Sequence, residues 1–188
     1  MSVLFLNACV RENSRTKMLA EHLLAKMSGE VNELCLENEK IRPLDRERLA
    51  LRDAALKAGN TGHPILKYAM QFAEAETVVI AAPYWDLSFP AVLKTYFEQI
   101  CVTGITFAYG EDGRPYGLCK AKRLYYVTTA GGPIFTEEFG FGYVEALCKA
   151  FFGIEDVRFV KAEGLDIVGA DVEHIMLSAK QSIDNMIL

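Results

Sequence analysis

Short apolar runs alternate along this chain with longer stretches in which apolar residues recur every three or four positions. The short runs cover residues 3–6, 31–36, 77–82, 123–129 and 157–162. Each is the length of a strand rather than a helix. Residues 77–82 are apolar almost throughout, as a strand covered on both faces must be, whereas 31–36 alternates. Between the runs, residues 16–27 place Leu19, Leu23, Leu24 and Met27 on one helical face. Further helices are predicted over 65–75, 90–101, 138–152 and 171–186. Pro90 stands at the start of its helix, where a missing N–H costs nothing. Residues 42–59 hold a charged helix ended by Gly59 and Gly62, with no strand of its own. Residues 104–118 contain Gly110, Gly113, Pro115 and Gly117 and read as a hairpin excursion. The alternation predicts an α/β chain: a doubly wound, five-stranded parallel sheet with helices on both faces.

Composition narrows the setting. The length of 188 residues suits a single domain over residues 1–188. With 51% apolar and 24% charged residues, the chain has the proportions of a globular protein. A net charge of −5 without a basic patch argues against nucleic acid and acidic membranes as partners. No apolar run approaches the roughly 20 residues that span a bilayer. A strand pattern begins at Val3 without a basic leader and long apolar segment, so a cytoplasmic location is expected. Cys9, Cys35, Cys101, Cys119 and Cys148 include no CxxC pair and are expected to be reduced. His22, His63 and His174 stand far apart, and no metal site is expected.

In a doubly wound sheet, ligands bind beyond the carboxyl ends of the strands, where the strand order reverses. Three loops leave those ends here. Residues 7–16 offer the hydroxyls of Ser14 and Thr16 and the guanidinium groups of Arg11 and Arg15. They open a helix whose free N–H groups and positive dipole end favour a phosphate. The plainer reading is a helix cap with surface arginines. Neither GxGxxG nor GxxxxGK[ST] is present, which argues against a dinucleotide fingerprint or a P-loop. The second loop, Pro83-Tyr84-Trp85-Asp86-Leu87-Ser88-Phe89, could wall a flat ring system, or its aromatics could simply cap the sheet. The third, Thr129-Ala130-Gly131-Gly132-Pro133, has glycines that let backbone approach a ligand, or form a plain turn.

Longer motifs connect these loops. They are Ala82-Pro83-Tyr84-Trp85 followed by Pro90, Leu93 and Lys94, then Gly104-Ile105-Thr106-Phe107-Ala108-Tyr109 and Gly117-Leu118 before Lys120 and Lys122. Ala130-Gly131-Gly132, Phe152-Gly153-Ile154 and Phe159-Val160-Lys161-Ala162-Glu163-Gly164-Leu165 follow in order. On these residues the chain resembles the FMN-dependent NAD(P)H:quinone oxidoreductases known as azoreductases, in the flavodoxin-like quinone reductase group. The resemblance implies a flavodoxin-like strand order, FMN as cofactor, and NADH or NADPH as co-substrate. It implies ping-pong transfer of two electrons to a quinone or azo acceptor with no side-chain nucleophile, in a homodimer with the flavin near the subunit interface. Arg11, Ser14, Arg15 and Thr16 would surround the FMN phosphate. Pro83, Tyr84, Trp85, Asp86 and Leu87 would run along the isoalloxazine, with Thr129, Ala130, Gly131 and Gly132 at its dimethylbenzene or pyrimidine side. Phe107, Tyr109, Phe135, Phe139 and Phe141 are candidates for the acceptor pocket or for core. Two residues depart from the family pattern: Glu12 adds negative charge beside the expected phosphate, and Asp86 stands where an asparagine is usual.

Two other readings compete. Cys9 and Arg15 are spaced CxxxxxR with Thr16 following, the phosphate loop of low-molecular-weight tyrosine phosphatases and arsenate reductases, where a thiolate is the nucleophile. Glu12, the lack of a glycine in that loop and the absence of any Asp-Pro pair weaken this reading. The other is a non-catalytic flavin carrier or sensor, for which a compact acidic patch is expected near the ring.

Overall fold

The computed structural model describes residues 2–187. In chain order the elements are β1 (Ser2–Asn7), α1 (Arg15–Leu24), β2 (Glu30–Cys35), α2 (Leu36–Glu39) and α3 (Arg46–Lys57). A 3-10 turn (Pro64–Leu66) leads into α4 (Lys67–Glu74), followed by β3 (Thr77–Ala81), α5 (Ala91–Ile100), β4 (Phe107–Tyr109) and β5 (Pro115–Gly117). Then come β6 (Arg123–Thr129), α6 (Phe141–Leu147), a π turn (Cys148–Phe152), β7 (Asp156–Ala162) and α7 (Val172–Ile187).

The five parallel strands stand in the order β2-β1-β3-β6-β7, the flavodoxin-like arrangement, so the chain reverses its winding between β1 and β3. Their register aligns Asn7 with Ala81 and Ala81 with Val127, while β6 runs on to pair Thr129 with Ala162. All the strands therefore release their following loops at one edge of the sheet. The core explains the burial. β3 lies at the centre and is buried along its full length. Alternate side chains serve opposite layers, since successive strand residues face opposite ways. Leu4, Leu6, Val78, Ile80, Leu124 and Tyr126 belong to a layer shared with residues of α4 and α5. Val3, Phe5, Val79, Tyr125 and Val127 belong to the layer of Leu19 and Leu23 from α1 and Met176 and Ile183 from α7. β2, at the edge, buries only Leu34 fully; its charged residues suit a strand with one unpaired side.

The predicted elements differ from the observed ones mainly at helix ends. α1 stops at Leu24, and the N–H groups of Lys26 and Met27 reach back to Leu23 and Leu24 in a tightened turn. Pro90 sits just outside α5 as its cap residue. α6 begins at Phe141, because the Glu137 carbonyl draws in the N–H groups of Gly140 (3.3 Å) and Gly142 (2.7 Å) and holds that segment in a turn. The excursion is an antiparallel β4–β5 hairpin. Among the described residues, no helix is long and apolar enough to cross a membrane.

Candidate functional site

The first loop is set by side chains that bond their own backbone. Asn7, buried at the end of β1, accepts the Cys9 N–H at 3.0 Å and donates to Glu33 at 2.9 Å. Ser14 caps α1, its hydroxyl accepting the Lys17 N–H at 3.2 Å. Among the described residues, the N–H groups of Arg15 and Thr16 have no acceptor, as the first turn of a helix dictates. These donors and the positive dipole end face the space beyond the sheet. Thr16, 1% exposed, shares a 2.6 Å hydroxyl–hydroxyl bond with Thr129, joining the start of α1 to the end of β6.

The second loop continues the ladder, with Ala82 N–H donating to Val127 (3.0 Å) and Tyr84 N–H to Thr129 (3.0 Å). Trp85 and Ser88 then exchange backbone bonds of 3.1 and 2.7 Å around Asp86 and Leu87. Both enclosed residues adopt positive φ, 50° and 66°, the geometry of a two-residue I′ turn that usually takes Asn-Gly. The turn projects Asp86 and Leu87 outward and leaves Trp85 39% exposed. Tyr84 and Ser88 donate their hydroxyls to the carbonyls of Thr136 (3.2 Å) and Phe139 (2.6 Å), lashing this loop to the third.

The third loop is paired to a fourth. After β7, Gly164 N–H donates to Gly132 (3.0 Å), Leu165 N–H to Ala130 (3.2 Å) and Asp166 N–H to Gly131 (2.8 Å). Arg15 reaches the same segment, its Nη1 donating to Asp166 Oδ1 at 2.8 Å and to the Leu165 carbonyl at 3.3 Å. A Cβ at Gly131 would meet the Asp166 carboxylate, which would have to give up its present position.

These four loops enclose a cavity of about 320 Å³, at the small end of the range for ligand sites. Of the predicted residues, Arg11, Ser14, Arg15, Thr16, Pro83, Tyr84, Trp85, Thr129, Ala130 and Gly131 line it. Asp86, Leu87 and Gly132 do not, and neither does Glu12. None of the five acceptor-pocket candidates lines it. Phe107 is buried against Tyr109 and Phe151, and Phe141 stacks on Phe159 at 4.4 Å, whereas Tyr109, Phe135 and Phe139 are exposed. Sequence reasoning missed Val10, Asn13, Leu165 and Asp166, and it considered Cys9 only as a nucleophile. The fourth loop was within reach of the same rule, because it leaves the carboxyl end of the last strand.

The cavity fits a phosphorylated planar ligand. Free helical N–H groups, the Ser14 hydroxyl and the Arg11 guanidinium lie on one loop, and the apolar surfaces of Tyr84, Trp85 and Leu165 on others. The site does not favour the thiolate alternative. Cys9 is buried, its Sγ lies 3.7 Å from the Ala81 carbonyl, and burial pushes its thiol up, where a nucleophilic cysteine must be held low.

Residues 1–187 match the protein family described as flavodoxin-like fold. The chain is 40% identical over 185 residues to the FMN-dependent NADH:quinone oxidoreductase of Coprothermobacter proteolyticus, covering 93% of this chain and 91% of the relative. It is 43% identical over 163 residues to FMN-dependent NADH:quinone oxidoreductase 2 of Clostridium acetobutylicum, covering 84% and 80%. The crystal structure of an azoreductase from Bacillus anthracis superposes with a TM-score of 0.85 at 28% identity, covering 99% of this chain and 98% of that one.

Proposed function

Because the chain belongs to the flavodoxin-like fold family and, within it, to the FMN-dependent NADH:quinone oxidoreductases, we propose that it carries two electrons from NADH to a quinone or azo acceptor with FMN as its cofactor. The observation that carries this reading is the cavity at the winding reversal, with anion donors on its first loop and aromatic surface on its second. FMN, when bound, supplies the two-electron chemistry; the chain supplies binding, orientation and exclusion of water.

The Arg15 and Thr16 N–H groups, the Ser14 hydroxyl and Arg11 hold the phosphate at the positive end of α1. Pro83, Tyr84 and Trp85 cover the ring, and the hydroxyl bonds of Tyr84 and Ser88 to the third loop keep that wall in place. At the opposite edge the Ala130 N–H is already taken by Ala162 at 2.9 Å. The donor left on that loop beside the cavity is the Gly131 N–H, which has no acceptor among the described residues. A donor fixed there favours negative charge on the ring edge without reorganisation during the reaction. Phe135 and Phe139, exposed on the segment that follows the third loop, are the residues we assign to the acceptor side, whereas Tyr109 is exposed on the β4–β5 hairpin and is not assigned to it. The site is read as working in the cytoplasm and in a homodimer, with Leu87, Phe135 and Phe139 as the apolar surface the partner covers.

The visible spectrum of the purified protein, followed by NADH oxidation with menadione or an azo dye, tests the proposal. Flavin absorbance with acceptor-dependent turnover is expected. A protein that stays colourless in excess FMN refutes it, and bound flavin without turnover favours the carrier. Arg11→Ala is expected to weaken FMN binding by about 1.5–3 kcal/mol, the scale of a charge-assisted hydrogen bond; unchanged affinity removes Arg11 from the phosphate site.

A further inference from the structure

The cavity holds two arginines on one loop, and the structure gives them different occupations. Arg15 donates from one nitrogen to both Asp166 Oδ1 (2.8 Å) and the Leu165 carbonyl (3.3 Å), 151 and 150 residues further along the chain. Arg11 is exposed at the same rim, and among the described residues no carboxylate pairs with it. Asp166 is itself fixed at both ends: its N–H donates to the Gly131 carbonyl at 2.8 Å, and its carboxylate occupies the space a Gly131 side chain would need.

We infer that Asp166 is a positioning residue that holds Arg15 as a clasp between the first and fourth loops, leaving Arg11 as the cation that meets the flavin phosphate. This rests on the FMN reading above and divides the labour within that site. A helix start carrying two free guanidinium groups would attract any small anion. Pairing one of them internally keeps a single positive charge for the phosphate and draws Leu165 and Gly131 against the ring. The clasp thus acts on the flavin as a whole, and Arg11 acts on its phosphate alone.

Riboflavin, which lacks the phosphate, separates the two roles when its affinity is compared with that of FMN by flavin fluorescence. Wild-type protein is expected to prefer FMN. Arg11→Gln should lose at least about tenfold of that preference while keeping riboflavin affinity. Arg15→Gln and Asp166→Asn should each weaken both flavins by the same factor, about threefold to fivefold, the scale of a partly exposed ion pair. The exchange Arg15→Asp with Asp166→Arg should restore much of what the single variants lose, and the unchanged ratio of FMN to riboflavin affinity in all three separates the clasp from a direct phosphate contact. Thermal unfolding of the flavin-free variants checks that each is folded, and the exchanged pair stands as an independent arm if a single variant is not. If Arg15→Gln loses the FMN preference, or Asp166→Asn tightens FMN by releasing Arg15, the clasp is overturned while the FMN reading survives. A wild type that binds neither flavin defeats that reading and the clasp with it.

Discussion

Tyr96 carries a hydroxyl into the core with no hydrogen-bond partner among the described residues, and burial pushes its ionisation far up. An unpartnered buried hydroxyl costs about 1–3 kcal/mol relative to a partnered one. Tyr96→Phe is therefore expected to leave stability unchanged or raise it by about 1 kcal/mol, measured by urea unfolding; a loss larger than that means the hydroxyl has a partner in solution. Glu39 sits oppositely. The Tyr68 hydroxyl at 2.7 Å and the Lys67 ammonium at 3.0 Å hold its carboxyl below the usual range. Because its folded pKa lies below the unfolded one, its contribution is present above the ordinary glutamate value, near about 4.3, and is lost as pH falls through the depressed value. Glu39→Gln should flatten the stability profile on that acid limb and leave its slope near neutrality unchanged. The fate of single residues was the least legible part of the sequence. Nothing local to Arg15 announces a partner 151 residues away, and Asp86-Leu87 hides an I′ turn because it lacks the Asn-Gly such turns prefer.

At the scale of elements the chain was easier to read, because period and burial speak together. The unbroken apolar run became β3, buried on both sides, and the glycine-spaced segment became the β4–β5 hairpin. Helix ends were harder, since they depend on local bonds such as the Glu137 carbonyl that delays α6. Two elements invite tests. Gly117 of β5 lies against the Phe152–Gly153 backbone so closely that a Cβ has no room. Gly117→Ala should cost about 1–3 kcal/mol, as overpacking does, with a lower Tm as the readout; an unchanged Tm means the hairpin shifts freely. Ser14→Ala removes the α1 cap and should cost about 1 kcal/mol. It should also weaken FMN more than riboflavin, because the same hydroxyl borders the proposed phosphate.

For the whole molecule, the alternation of elements predicted the parallel sheet, the family resemblance implied its strand order, and the carboxyl-end rule pointed to three of the four loops at the site. The fourth leaves the carboxyl end of the last strand and was within reach of the same rule; β7 pairs with β6 and ends at Ala162 beside Thr129. Light scattering in solution is expected to give twice the chain mass, and Phe135→Glu with Phe139→Glu should reduce it to one; a wild-type monomer would remove the dimer.

Thr16 bonds Thr129, and Arg15 bonds Asp166, so the walls of one cavity are drawn from both ends of the chain. On the FMN reading, a chain that lacks β7 and the loop after it has the helix start but not the wall that Leu165 and Asp166 supply. On the same reading, flavin bound across these contacts should slow unfolding, since it binds the folded chain and not the unfolded one; an unchanged unfolding rate would mean that it does not grip them.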